Sequence, residues 1–160
     1  MRRVRAMVLA LVLVVPAAAD EVVPTADWHL LSAGREFTLR APPGTKFQPL
    51  QGEDSFVGEF VHPKFRIGFD YGRWSNNLAG MDPPRYTAER IVVDGRAGVI
   101  KWGQGEGDLS WGCAGQLVAL YVPQVRRGGD DKLEMDGCTA DAAQVPVLIA
   151  VFKSVRLLRH

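Results

Sequence analysis

Asp54 and Ser55 stand side by side in GEDSFVGEF, and a short distance on FRIGFDYG ends in Asp70 and Tyr71. A serine with carboxylates at hand is a starting point for acyl transfer, in which the hydroxyl attacks, a base takes its proton and nearby donors stabilise the oxyanion. Two features weigh against that chemistry. The local run Gly-Glu-Asp-Ser-Phe is not the Gly-x-Ser-x-Gly elbow, and a carboxylate alone is a poor base for a serine near neutral pH. The polar pairs fit better as the open end of a hairpin, with Ser55 donating to Asp70 and Asp54 accepting from a loop amide. No catalytic residue is assigned. A hydrolase using Ser55 with Asp54 and Asp70 stays as the alternative.

The next stretch, YGRWSNNLAGMDPPR, sets Tyr71, Arg73, Trp74, Asn76 and Asn77 close to Asp70 in one loop. An aromatic plate flanked by amide and guanidinium donors suits a sugar or peptide-like ligand. Asp70, Tyr71, Arg73, Trp74, Asn76 and Asn77 are therefore the candidate ligand-binding residues. A second rich loop, WGQGEGDLSWG, is bounded by Trp102 and Trp111. It lacks the Gly-Lys-Ser or Gly-Lys-Thr ending of a phosphate loop, and Glu106 and Asp108 fall short of the six to eight oxygens that calcium prefers. Folded toward Trp74, it would make one groove of three tryptophans. GDDKLEMDG also lacks calcium-loop spacing, and Asp130 and Asp131 read as turn residues. His29, His62 and His160 show no ligand spacing, so no metal is assigned, nor any cofactor.

These residues must be carried by strands. Short β-type runs divided by Gly, Pro and Asp-Gly signals predict strands over 28–31, 37–41, 55–61, 65–71, 88–93, 97–102, 116–122 and 132–136. Pro42 and Pro43 end the second of them. A four-residue loop, Val61 to Lys64, would set Phe60 opposite Phe65, Glu59 opposite Arg66 and Ser55 opposite Asp70. One face then carries Phe56, Gly58, Phe60, Phe65, Ile67 and Phe69, and the other carries the polar residues. Asp94-Gly95 is a hairpin signal, with Glu89 facing either Ile100 or Lys101; the charge pairing favours Lys101. Near the end, Val147, Leu148, Val151 and Phe152 recur at helical spacing, with Thr139 and Asp141 as caps and Pro146 near the start. SVRLL returns as a final strand. The fold class is α+β, a single domain of mainly antiparallel sheet with a C-terminal helix packed on it.

The chain opens MRRVRAMVLALVLVVPAAADE, a basic start, a short apolar run and small residues. That predicts a signal peptide over 1–19, cleaved after Ala19, and an exported domain over 20–160 with no permanent membrane span. Without the leader, 16 Lys and Arg face 18 Asp and Glu, too even a balance for a nucleic-acid partner. In an exported chain the two cysteines, Cys113 and Cys138, are expected to form a disulfide. With Leu133 opposite Leu117 they would clamp a hairpin only if a bulge at Asp136-Gly137 turned them to one face.

The runs FTLRAPPG, GEDSFVG, FRIGFDYG and SNNL, then IVVDGRAGVI and AVFKSVRLL, resemble a group of small exported bacterial proteins of unknown function. More distantly the layout is similar to domains of the PsbP and Mog1 type. That resemblance implies an antiparallel sheet with helices packed on it and assigns no functional residue. The expectation is a periplasmic or secreted, non-enzymatic module for an unknown small molecule or exported protein partner. A structural or assembly role in the cell envelope is the other alternative.

Overall fold

The computed structural model describes residues 24–106 and 112–158. The expected leader, Asp108 and Trp111 lie outside the described residues. The elements run β1 (His29–Ala33), β2 (Phe37–Ala41), β3 (Lys46–Pro49), β4 (Phe56–His62), β5 (Phe65–Gly72), β6 (Tyr86–Val93), β7 (Arg96–Gln104), β8 (Gln116–Val122), β9 (Lys132–Thr139), α1 (Val145–Lys153) and β10 (Arg156–Leu157). Seven strands form one sheet in the order β3-β4-β5-β9-β8-β7-β6, and β1, β2 and β10 form a second, smaller sheet. All pairings are antiparallel. The expected α+β architecture, with a C-terminal helix on a mainly antiparallel sheet, is what the chain adopts.

One face of the large sheet is apolar. Phe60, Ile67, Phe69, Met135, Leu120 and Ile100 bury against Phe37 and Leu39 of the small sheet and against Leu148, Val151 and Phe152 of α1. Period-2 alternation supplies one side of this layer and helical spacing the other. Asp141 caps the 3-10 turn that leads into α1, accepting from the Ala143 amide at 3.0 Å, and Pro146 sits in the first helical turn where its missing N–H costs nothing. Thr139 is not a cap: it ends β9 and its hydroxyl donates to the Lys64 carbonyl at 2.8 Å. Gly58 notches the aromatic layer. A Cβ there would stand 2.8 Å from the Phe69 ring and 2.9 Å from that of Phe47, which meet with centroids 6.1 Å apart.

Three registers differ from expectation. The β4–β5 turn is two residues, Pro63 and Lys64, so His62 pairs with Phe65 and Phe60 with Ile67. The ladder therefore slides by two residues, which keeps every side chain on its expected face, because faces repeat with period two. His62 stacks on Phe65 at 4.4 Å, and Lys64 N donates to its Nδ1 at 3.2 Å, closing a turn that the longer loop would have left open. At Asp94-Gly95 the loop is also two residues, with φ of 47° and 80°, and Glu89 faces Ile100, not Lys101. Positive φ at both positions is the geometry that matches strand twist. It outweighs a surface charge pair, and Glu89 finds Lys153 at 3.0 Å instead. Finally, β8 and β9 pair without a bulge, and Leu133 faces Val122 rather than Leu117.

That last register explains the disulfide. Cys113 and Cys138 are joined, and Cys138 lies opposite Leu117 while Cys113 precedes β8. No bulge is needed, because Cys113 reaches over the strand from the connection before it. One element had no clear sequence signal: β3, beyond the prolines, pairs with β4. The expected final strand in SVRLL is the two-residue β10. No helix among the described residues is long and apolar enough to cross a membrane.

Candidate functional site: the covered polar face

The other face of the large sheet carries the charged residues of the alternating strands. Cross-strand pairing sets Val57, Asp70, Glu134 and Tyr121 in one row on β4, β5, β9 and β8. The next row is Glu59, Gly68, Asp136 and Ala119, with Lys101 of β7 beyond. Four carboxylates from three strands thus share one patch of sheet. Glu59, Glu134 and Asp136 are buried, and Arg66 reaches back to Glu59 at 3.2 Å.

The segment after β5 lies over part of this face, at Glu134 and along β8. Gly72 turns the chain over the face, where the buried Ser75 hydroxyl donates to the Gly72 carbonyl at 3.1 Å. The Asn76 backbone amide hydrogen-bonds the Glu134 carboxylate. Leu78 and Met81 then pack with Tyr86, Cys113, Leu117 and Ala119 as a second, smaller core. Further along, Lys101 holds Asp82 at 3.3 Å, and Arg85 pairs with Glu106. The disulfide lies in this same layer, so it pins the connection before β8 to the covered face.

Desolvation sets the electrostatics. Burial, then the charges of Asp136 and Asp70, push the Glu134 carboxyl up to about 7, while the Asn76 amide works in the other direction. Asp70 is raised too, chiefly by burial; the Ser55 hydroxyl opposes the rise and Asp54 adds to it. Its Oδ1 is buried without a hydrogen-bond partner. Tyr121 is raised by burial and by the Glu134 charge.

Ser55 itself stands against Gly72: a Cβ on that glycine would meet the Ser55 Cβ at 2.6 Å. Asp70 is its diagonal neighbour rather than its opposite number, still within side-chain reach. Ser55 and His62 bracket β4 at opposite ends, roughly 20 Å apart at ~3.3 Å per residue. The serine therefore has a desolvated carboxylate beside it, and that histidine is out of reach.

The candidate ligand-binding residues separate into two groups. Tyr71 points into the apolar side, 5% exposed, stacked beside Phe37 at 6.5 Å and lying under the Arg126 guanidinium at 5.6 Å. Asp70 lies on the polar face beneath the segment that follows. Arg73, Trp74, Asn76 and Asn77 stay exposed on that segment. Arg73 pairs with Asp130 at 3.2 Å, and the Asn76 side chain caps the Asn77 amide at 2.8 Å. Trp74 is 71% exposed. Trp102 packs against the helix-side core, so it shares no groove with Trp74. Glu134 and Asp136 fall in the strand expected over 132–136, and no site role was expected of them. Their alternation with Leu133 and Met135 signals a two-faced strand, but Glu134 meets Asn76, a residue some sixty positions earlier in the chain. No protein-family model and no curated protein matches the chain, so the site is defined by its own residues.

Proposed function

We propose that the chain is an exported, non-enzymatic binding module, periplasmic or secreted, that presents Trp74 and its neighbours to a small ligand. The observation that carries this reading is a large aromatic side chain left 71% exposed on a segment that is otherwise anchored. Ser75, the Asn76 amide and Leu78 hold the segment down, and Arg73 is fixed by Asp130, so the indole is displayed from a firm base. A preorganised aromatic plate loses little entropy on binding, and the amides of Asn76 and Asn77 beside it supply donors and acceptors for hydroxyl or peptide groups. A disulfide suits an oxidising compartment.

The test is a thermal-shift screen of mono- and oligosaccharides and short peptides on the mature chain and on Trp74→Ala. Compounds that stabilise the parent and leave the variant unmoved are the expected result. Equal stabilisation of both refutes the site. A second reading, recruitment of another exported protein, rests on β6. It is a terminal strand of the large sheet with Val92 72% exposed, and a free edge is a template for strand addition. Pull-down from a periplasmic extract with an edge-blocked variant, Arg90→Pro, separates the two: partner loss favours the edge, and retention excludes it.

A further inference from the structure

A groove of about 520 Å³ lies between the β6–β7 turn and the turn joining β8 to β9, lined in part by Arg96, Arg126, Arg127 and Asp130. Its size falls within the roughly 300–1,000 Å³ of small-molecule sites. The charges in it are unequally satisfied. Arg126 is engaged by Glu36 at 3.0 Å and Asp131 at 3.3 Å. Asp130 is neutralised by Arg73 at 3.2 Å. Asp94, beside the groove, accepts the Leu157 amide at 2.6 Å. Arg96 is oriented through its Nε, which donates to the Gln124 carbonyl at 2.7 Å, yet it has no carboxylate partner among the described residues. Nor has Arg127. Two guanidinium groups lining the groove therefore keep N–H donors that no carboxylate of the described residues occupies.

Guanidinium presents a planar fork of N–H donors that matches carboxylate and phosphate oxygens. Gly95 and Gly128, among the lining residues, are exposed and carry no side chain that would cover the arginines. The groove is also joined to the loop already described, because the acid that Arg73 grips, next to Trp74, is the groove-lining Asp130. We propose that this groove binds the oxyanion of the same ligand whose ring rests on Trp74, so that the ligand class is an acidic sugar, bearing a carboxylate or a phosphate. The inference rests on the Trp74 reading for the ring and on the arginines alone for the oxyanion.

The experiment uses the ¹⁵N-labelled mature chain with its disulfide intact, titrated with glucuronate, glucose 6-phosphate and glucose. At least one acid should move the Arg96 and Arg127 Nε–H signals together with the Trp74 indole N–H, and glucose should bind about tenfold or more weakly, since a charge-assisted hydrogen bond is worth about 1.5–3 kcal/mol. Which acid binds tells carboxylate from phosphate. Arg127→Gln, which removes no internal contact, should weaken the acid about tenfold. Arg96→Gln should do the same if it keeps the parent's spectrum. Unchanged acid affinity in Arg127→Gln overturns the groove. Movement of Trp74 alone, equally with glucose, overturns the oxyanion site and leaves the Trp74 platform standing. Movement of the arginines alone overturns the shared ligand and the platform, and silence with all three probes overturns the acidic-sugar assignment.

Discussion

Glu134→Gln should make the protein more stable at neutral pH and remove most of its loss of stability between pH 5 and pH 8. The carboxyl ordinarily titrates near 4.5, and on the covered face it is pushed up to about 7. Each pH unit of such displacement is worth ~1.4 kcal/mol, so the whole displacement is worth about 3–4 kcal/mol at most, with part of the repulsion shared by Asp70 and Asp136. The sign follows from proton counts. Between 4.5 and 7 the folded chain holds the Glu134 proton and the unfolded chain has lost it, so raising the pH favours unfolding. The contribution is complete below 4.5 and gone above 7. Asp70, also raised, acts in the same direction from a lower starting point. His62 acts oppositely: desolvation disfavours its imidazolium, so acidification below 6.5 costs folded-state stability there. Glutamine keeps an acceptor for the Asn76 amide and carries no charge. Urea unfolding of parent and variant at pH 5 and pH 8, disulfide intact, reads the difference directly. The parent should lose on the order of 2–3 kcal/mol over that interval and the variant much less. A parent equally stable at both pH values, or a variant with the same drop, refutes the description of Glu134 as a desolvated carboxyl in a like-charged cluster.

Further expectations concern packing and the serine. Gly58→Ala should cost about 1–3 kcal/mol in urea unfolding, because its Cβ would press on the Phe47 and Phe69 rings; a neutral result would mean that the aromatic layer is loosely packed. Replacing Cys113 and Cys138 by serine should cost about 3 kcal/mol, given a sequence separation of 25 residues. Because the disulfide lies in the layer over the polar face, amide exchange should also quicken around Leu78 and Met81, and unchanged protection there contradicts that placement. A fluorophosphonate should leave Ser55 unlabelled, since its neighbour is a carboxylate and not an imidazole; labelling detected by mass spectrometry would restore the hydrolase alternative.

The strand content, the disulfide and the sorting of the β4–β5 faces were legible because each depends on local alternation or on residue type. Register was not. Pro63-Lys64 and Asp94-Gly95 both close as two-residue turns, and the choice between two and more loop residues is settled by backbone twist and by contacts such as His62 on Phe65. β3 was hidden because KFQP shows little apolar alternation and gains its place by pairing with β4. Around the site, exposure of Trp74 and Arg73 agrees with the loop reading, whereas Tyr71 belongs to the core because it continues the odd-numbered apolar face of β5. The acidic patch was beyond reach for a different reason: Asp70 and Glu134 become neighbours only through the β5–β9 pairing, which joins segments far apart in sequence.

The most direct measurement is ¹⁹F NMR of residues 20–160 labelled with 5-fluorotryptophan, the resonances assigned by Trp→Phe variants and titrated with the compounds that stabilise the protein in the thermal-shift screen. The resonance missing in Trp74→Phe should be the one that shifts first and saturates with the binding curve, while Trp28, which is buried, and Trp102, which packs against the helix-side core, stay still. A ligand that saturates the protein while the Trp74 resonance remains unmoved would contradict the placement of the binding site on this face.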